Sequence, residues 1–231
     1  MRTFSRPAPA SMQAPQAPQA AQVVDSLRLV LLVAYLQSEL YTRAAAATGF
    51  IATADATVFT TLNAQETQHI SRLTQLIAAR GGPALVRPTF DFTAKGALPG
   101  FAFAAAQYET FRILAQAFED LGVRAYKGQV QALVSDEPAL NAALAIHSVE
   151  ARHAAEVRRL RGKKGWITGS TLDDVPTFLQ AVYGGEEVTT QGTVNVATAI
   201  ATTGGGEAAS QAFDEPLTTA QVTAIVTLFL V

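Results

Sequence analysis

Glu66-Thr67-Gln68-His69 and Glu150-Ala151-Arg152-His153 are two copies of one pattern, a carboxylate followed three residues later by an imidazole. On a helix that offset brings both side chains to the same face one turn apart, the spacing at which a carboxylate and an imidazole can reach one ion. The chain holds only three histidines and eleven glutamates in 231 residues. A glutamate would precede any given histidine at that offset about 5% of the time, so two hits in three are not a matter of composition. Both pairs share their faces with small apolar residues, which argues against a solvated face with ordinary ion pairing. The competing account of the two pairs is that bland one.

Outward from these tetrapeptides the sequence reads as helices. Apolar residues recur at helical spacing from Val23 to about Thr48 (Val24, Leu27, Val30, Leu31, Ala34, Tyr35), which predicts a first helix. A second is predicted from about Ala54 to Ala79, stopped by Gly81-Gly82-Pro83. A third should run from about Phe101 to Val134, and Ser135-Asp136-Glu137-Pro138 then opens a fourth that reaches about Leu160. Residues 81–100, rich in Pro and Gly with Phe90 and Phe92 among them, read as a long crossover on the outside of the helices. The expected fold is all-α: two hairpins in a four-helix bundle over residues 23–161, with the long link between the second and third helices. Residues 1–22 form a Pro/Gln/Ala arm. Residues 162–231 form an irregular Thr/Gly-rich extension that packs on the bundle or on a neighbour and ends in a short helix from Ala220 to Leu230.

Ligands in a bundle core must sit at matching heights. Glu39 lies about nine residues before the first interhelical turn and Glu66 about twelve after the second helix begins; Glu119 lies about fifteen before the later turn and Glu150 about thirteen after it. The predicted set is therefore Glu39, Glu66, His69, Glu119, Glu150 and His153, four carboxylates and two imidazoles for two divalent or trivalent ions, iron or manganese. Glu119 is preferred to Asp120 because the stripe Tyr108, Ala115, Gly122 and Tyr126 runs through position 119, so that Asp120 should face outward. His147 is either an additional ligand, a donor behind one, or a core or edge histidine. Tyr35 and Tyr126 are read as core residues that could hydrogen-bond to ligating carboxylates. Glu109 reads as a surface acid, and Arg158, Arg159, Arg161, Lys163 and Lys164 as a solvated helix end.

Composition narrows the function classes. The chain has no cysteine, which excludes disulfides, thiolate zinc sites and cysteine-held clusters. A formal charge of -2 gives no basic excess for nucleic acid or an anionic surface. No uninterrupted apolar run reaches the roughly 18–20 residues that span a bilayer, so no transmembrane segment is expected.

The chain also resembles the ferritin-like family that includes the desiccation-related proteins. The resemblance rests on Ala34-Tyr35-Leu36-Gln37-Ser38-Glu39, on Glu66-Thr67-Gln68-His69, on Phe118-Glu119-Asp120-Leu121-Gly122-Val123-Arg124-Ala125-Tyr126 and on Glu150-Ala151-Arg152-His153-Ala154-Ala155. It continues at Tyr183-Gly184-Gly185-Glu186 and Ala212-Phe213-Asp214-Glu215-Pro216-Leu217. It implies an up-down-down-up ferritin-like bundle with a di-metal centre. The expected activity is that of an oxidoreductase of ferroxidase, oxidase or manganese-catalase type, acting on dioxygen, peroxide or ferrous iron in oxidative or desiccation stress. The alternative is a structural or assembly protein whose metal only stabilises the bundle, with Val188–Thr203 pairing to neighbouring subunits in a homo-oligomer. Members of the family often carry an export signal. Residues 1–22 lack the apolar core of one, so a cytoplasmic location is expected, with an extracytoplasmic one as the family's alternative.

Overall fold

The computed structural model describes residues 17–83, 85–172 and 174–231. Four long helices dominate: α1 (Ala17–Ala46), α2 (Ala56–Ala78), α3 (Tyr108–Leu133) and α4 (Glu137–Leu160). Most of the predicted arm lies outside the described residues, but Ala17 to Gln22 already belong to α1.

Contacts along the helices fix their directions. Thr42 meets Asn63 at 3.4 Å near one end of the first hairpin, and the Gly82 backbone packs against Val24 at the other, so α1 and α2 are antiparallel. Gln116 meets Arg161, and Arg112 donates to the Leu160 carbonyl at 2.9 Å, so α3 and α4 are antiparallel as well. Between hairpins, Gln37 and Tyr41 reach Glu119 on α3, while Arg80 at the end of α2 pairs with Asp136 at the start of α4. The order is up-down-down-up, the all-α arrangement expected.

Local chemistry sets the helix ends. Gly81 adopts φ +68, and the Gly82 N–H returns to the Ile77 carbonyl at 3.0 Å, which closes the last turn of α2. Asp136 accepts from the Ala139 N–H at 3.1 Å ahead of Pro138 and also holds Arg80, so one carboxylate caps α4 and clamps it to α2. The third helix starts later than the predicted Phe101. The Gln107 side chain donates to the Gly100 carbonyl at 2.9 Å and accepts from the Ala102 N–H at 2.6 Å, holding residues 100–104 in a loop.

α1 is apolar on nearly every side; Val23, Leu27, Val30, Val33, Ala34, Leu36 and Leu40 are all buried. Its stretch Gln19–Ala46 is long and apolar enough, at mean hydropathy 1.3, to match a membrane span by length and composition, yet 61% of its apolar stretch is buried inside the protein. Its outer side is covered by the extension, where a short helix, Thr219–Thr227, packs across α1 and α3. That helix opens on a capping box between Thr218 and Gln221. It stops before Leu230 because the chain there pairs with the crossover: the Asp91 N–H donates to the Phe229 carbonyl at 2.7 Å and the Val231 N–H to Thr89 at 3.2 Å. The extension docks on α3 chiefly through Arg124. This fully buried guanidinium pairs with Glu186 at 2.8 Å and donates to the backbone carbonyls of Val182, Gly184 and Glu215. Gly128 lets the Leu217 carbonyl approach α3 where a Cβ would stand 2.0 Å from that oxygen. Within Val188–Thr203 two short strands, Thr190–Gln191 and Val194–Asn195, pair with each other.

Candidate metal centre

Each of α2, α3 and α4 turns polar side chains into the middle of the bundle at one height. Glu66 and His69 come from α2, Glu119 from α3, Glu150 and His153 from α4. The three carboxylates are fully buried, and the imidazoles are 6% and 3% exposed. One ligand atom each from Glu66, Glu119, Glu150 and His153 lie within 4.8 Å of one another. His69 flanks this group, its Nδ1 3.2 Å from Glu66 Oε1 and 3.1 Å from Glu150 Oε1. His153 mirrors it, with Nδ1 3.1 Å from Glu66 Oε1 and 3.3 Å from Glu119 Oε2. Glu66 thus stands between two half-sites, each completed by one imidazole and one further carboxylate.

Both oxygens of Glu66, Oε1 of Glu150 and Nδ1 of both imidazoles lack an aligned hydrogen-bond partner among the described residues, despite those short separations. Buried carboxylates without donors are costly, and three together repel one another. Their lone pairs converge on a common region, which is the arrangement a cation would satisfy. Tautomer control points the same way. His153 Nε2 lies 2.6 Å from Gln65 Oε1, and an N–H donated there makes Nδ1 the nitrogen that offers its lone pair toward the carboxylates once the ring gives up its second proton.

Electrostatics without an ion shows the same demand for positive charge. Burial alone would depress both imidazoles, but the Glu150 and Glu66 carboxylates push His69 up to about 9, and Glu119, Glu66 and Glu150 push His153 up to about 11. Burial also raises Glu119 against the opposing pull of His153, and raises Glu150 against that of His69. Tyr41 donates its phenolic hydrogen to Glu119 Oε1, and burial followed by the Glu119 charge pushes that phenol well up.

Glu39 is not brought into this group. Its side chain is 22% exposed and binds Arg43 Nε at 2.8 Å, with Arg87 at 3.8 Å. The residue of α1 that faces the centre is Gln37, two positions earlier and about 200° around the helix. Fully buried, its Nε2 lies 2.7 Å from Glu150 Oε2 and 3.1 Å from Glu119 Oε2. Gly122 makes room for this contact, since a Cβ there would stand 2.1 Å from Glu150 Oε2 and 2.9 Å from Gln37 Nε2.

Asp120 does not face outward either. It is 2% exposed, with Oδ1 3.1 Å from Arg158 Nε and Oδ2 accepting from Tyr183 at 2.9 Å, so Arg158 is a buried partner rather than part of a solvated helix end. His147 lies away from the centre, half-buried beside the Val123 backbone with Lys127 and Asp214 nearby. Tyr35 donates to the Leu85 carbonyl at 3.2 Å rather than to a ligand. Tyr126 is buried with a hydroxyl that has no partner among the described residues, and burial and then the charges of Glu150 and Glu66 raise it. Sequence reasoning missed Gln37, Tyr41 and Gln65. Tyr41 and Gln37 are four residues apart on one face of α1, which was the available signal.

Comparison with curated protein sequences returns no match. Residues 22–163, more than half of the chain and nearly all of the bundle, match the ferritin-like domain family. With its four antiparallel-paired helices and a buried carboxylate–imidazole group at their centre, the chain belongs to the ferritin-like domain family.

Proposed function

We propose that the chain is an iron or manganese carboxylate protein of oxidoreductase type. Its reaction is with dioxygen, peroxide or ferrous iron, in the oxidative or desiccation stress that its resemblance suggests. The observation that carries this reading is the convergence of five unpartnered, buried ligand atoms on one region of the bundle core. Glu66, His69, Glu119, Glu150 and His153 would hold the metal, as two ions. Oxygen and nitrogen donors of this kind suit iron and manganese. Bound there, such ions supply one-electron redox change and Lewis acidity toward dioxygen or peroxide.

The protein's own contribution is placement. Tyr41 holds Glu119 through Oε1, and Gln65 turns the Nδ1 lone pair of His153 inward. Gln37 donates toward Oε2 of Glu119 and of Glu150 and leaves Oε1 of Glu150 facing His69. Burial of all three carboxylates keeps bulk water from competing for the same positions.

Elemental analysis of the purified chain beside a Glu66→Ala, Glu150→Ala variant tests the reading. Iron or manganese should be retained by the parent and lost from the variant, together with turnover of peroxide or ferrous iron. A folded parent that stays metal-free after iron and manganese are added would make the bundle a scaffold and defeat the proposal.

A further inference from the structure

The α1 corner of the centre carries an amide where the sequence pattern called for a fourth carboxylate. Gln37 is fully buried, and its amide nitrogen has three acceptors within reach: Glu150 Oε2 at 2.7 Å, Glu119 Oε2 at 3.1 Å and the Phe118 carbonyl at 3.2 Å. An amide offers two hydrogens, so the group is committed as a donor toward α3 and α4. The contact is built rather than incidental. Gly122 on α3 leaves the space that the Glu150 carboxylate and the Gln37 amide occupy together, and any side chain there would collide with both. Gln37 therefore meets Glu119 and Glu150 as a neutral donor, while Glu66 meets the two imidazoles as an acceptor.

Charge counting gives this arrangement a consequence. Three buried carboxylates balance most of the charge of two divalent ions but leave one positive charge over, whereas a fourth carboxylate would bring the sum to zero. The one glutamate of α1 cannot supply it, because Glu39 is turned outward onto Arg43 and Arg87. Uncompensated charge inside a bundle is expensive, so the deficit falls on the ion that binds last. We propose that Gln37 is a positioning residue that fixes Glu119 and Glu150 while withholding a fourth negative charge, so that the centre takes a first divalent ion much more tightly than a second. This rests on the metal reading above and adds unequal loading to it.

The test is a Mn2+ titration of the metal-stripped full chain, read as ions retained per chain after desalting and by electron paramagnetic resonance. The parent should hold one ion with the spectrum of an isolated Mn2+, and the second should bind at least about tenfold more weakly. Gln37→Glu, which adds the missing charge, should retain two ions and show the spectrum of a spin-coupled pair. Gln37→Met keeps the charge and removes the donor; it should weaken the first ion about tenfold, within the range seen when a ligand's supporting hydrogen bond is removed, without gaining a second. Circular dichroism of each variant establishes that it is folded, and the Met variant carries the test if the Glu variant is not. Two ions of equal affinity in the parent would overturn the inference, as would a folded Gln37→Glu chain with parental loading or a Gln37→Met chain with parental first-ion affinity. Failure of the parent to retain any Mn2+ overturns the metal reading as well, and so separates the two.

Discussion

Glu119 and Asp120 are adjacent on α3, both carboxylates and both buried, yet they belong to opposite kinds of interior. Asp120 meets the Arg158 guanidinium and the Tyr183 hydroxyl, a closed set in which each charge has its counterpart. Glu119 lies among two more carboxylates and the His153 imidazole, a set with unpartnered atoms among the described residues and an excess of negative charge. Rotation by one residue, about 100° on a helix, separates a contact that holds the extension to the bundle from one that asks for a cation. Burial of a carboxylate therefore says little by itself; what distinguishes the two regions is whether its oxygens are satisfied.

The contrast breaks most visibly at Arg158. Arg158→Ala leaves the Asp120 carboxylate buried with only Tyr183 for a donor, and losing one partner of a buried pair costs about 3–5 kcal/mol. In a chain of this size that lowers Tm by roughly 6–20 °C, while metal retention should survive in whatever fraction stays folded. Glu66→Gln should do the reverse. It removes an acceptor that touches both imidazoles, at 3.2 and 3.1 Å, and so should reduce metal affinity by at least about 100-fold. Stability of the metal-free chain should stay within about 1 kcal/mol of the parent, because relief of repulsion among carboxylates offsets the lost counter-charge for the imidazoles. Thermal melts with and without Mn2+ on the two variants measure both quantities, and a large metal-free loss for Glu66→Gln would erase the distinction between the regions.

Two smaller effects sharpen the same comparison. Gly122→Ala places a methyl group against the Glu150 carboxylate and the Gln37 amide, and such overpacking costs about 1–3 kcal/mol. Its expected signature is weaker metal retention accompanied by a modest fall in Tm. A change of pH should act on the centre. With His69 raised to about 9 and His153 to about 11, both imidazoles are protonated near neutrality in the metal-free chain. A folded-state pKa above the unfolded value near 6.5 contributes stability that is complete below pH 6.5 and is lost as pH rises through about 9 and then about 11. Metal binding must displace those protons, so affinity should increase with pH across this window. Calorimetric titrations of Mn2+ in buffers of different ionisation enthalpy should show proton release at pH 7, and its absence would mean that the imidazoles are not ligands.

Much of the fold was legible because its determinants are local. Helical periodicity, the Gly81-Gly82-Pro83 stop and the Asp136 cap each act within a few residues, and the two Glu-x-x-His pairs place α2 and α4 without reference to anything distant. The late start of α3 was less legible because it depends on one side chain, Gln107, bonding back to the preceding loop. At the centre, five of the six predicted ligands lie together, and Glu39 does not. On α1 the helical phase decides which side chain turns inward: Gln37 lies on the face that Tyr41 shares, and Glu39 lies off it. Asp120 was misplaced because its partners come from Arg158 and Tyr183, 38 and 63 residues away, and no local pattern announces them.

Glu39→Gln is accordingly the substitution with the smallest expected effect and the sharpest check on which side chain α1 turns to the centre. The carboxylate sits at the rim of α1, 22% exposed, held by Arg43 one turn along the helix and, at longer range, by Arg87. Ion pairs of this kind contribute about 0–1 kcal/mol, because solvent screens them and two long side chains must be ordered to form them. Arg43 retains its bond to the Phe90 carbonyl at 3.1 Å and its place over the Phe92 ring, so the crossover keeps its anchor when the acid is lost. Metal per chain should match the parent, and Tm should move by no more than about 4 °C. Loss of an ion from this variant would mean that α1 delivers its carboxylate to the centre after all, with Gln37 displaced from between Glu119 and Glu150.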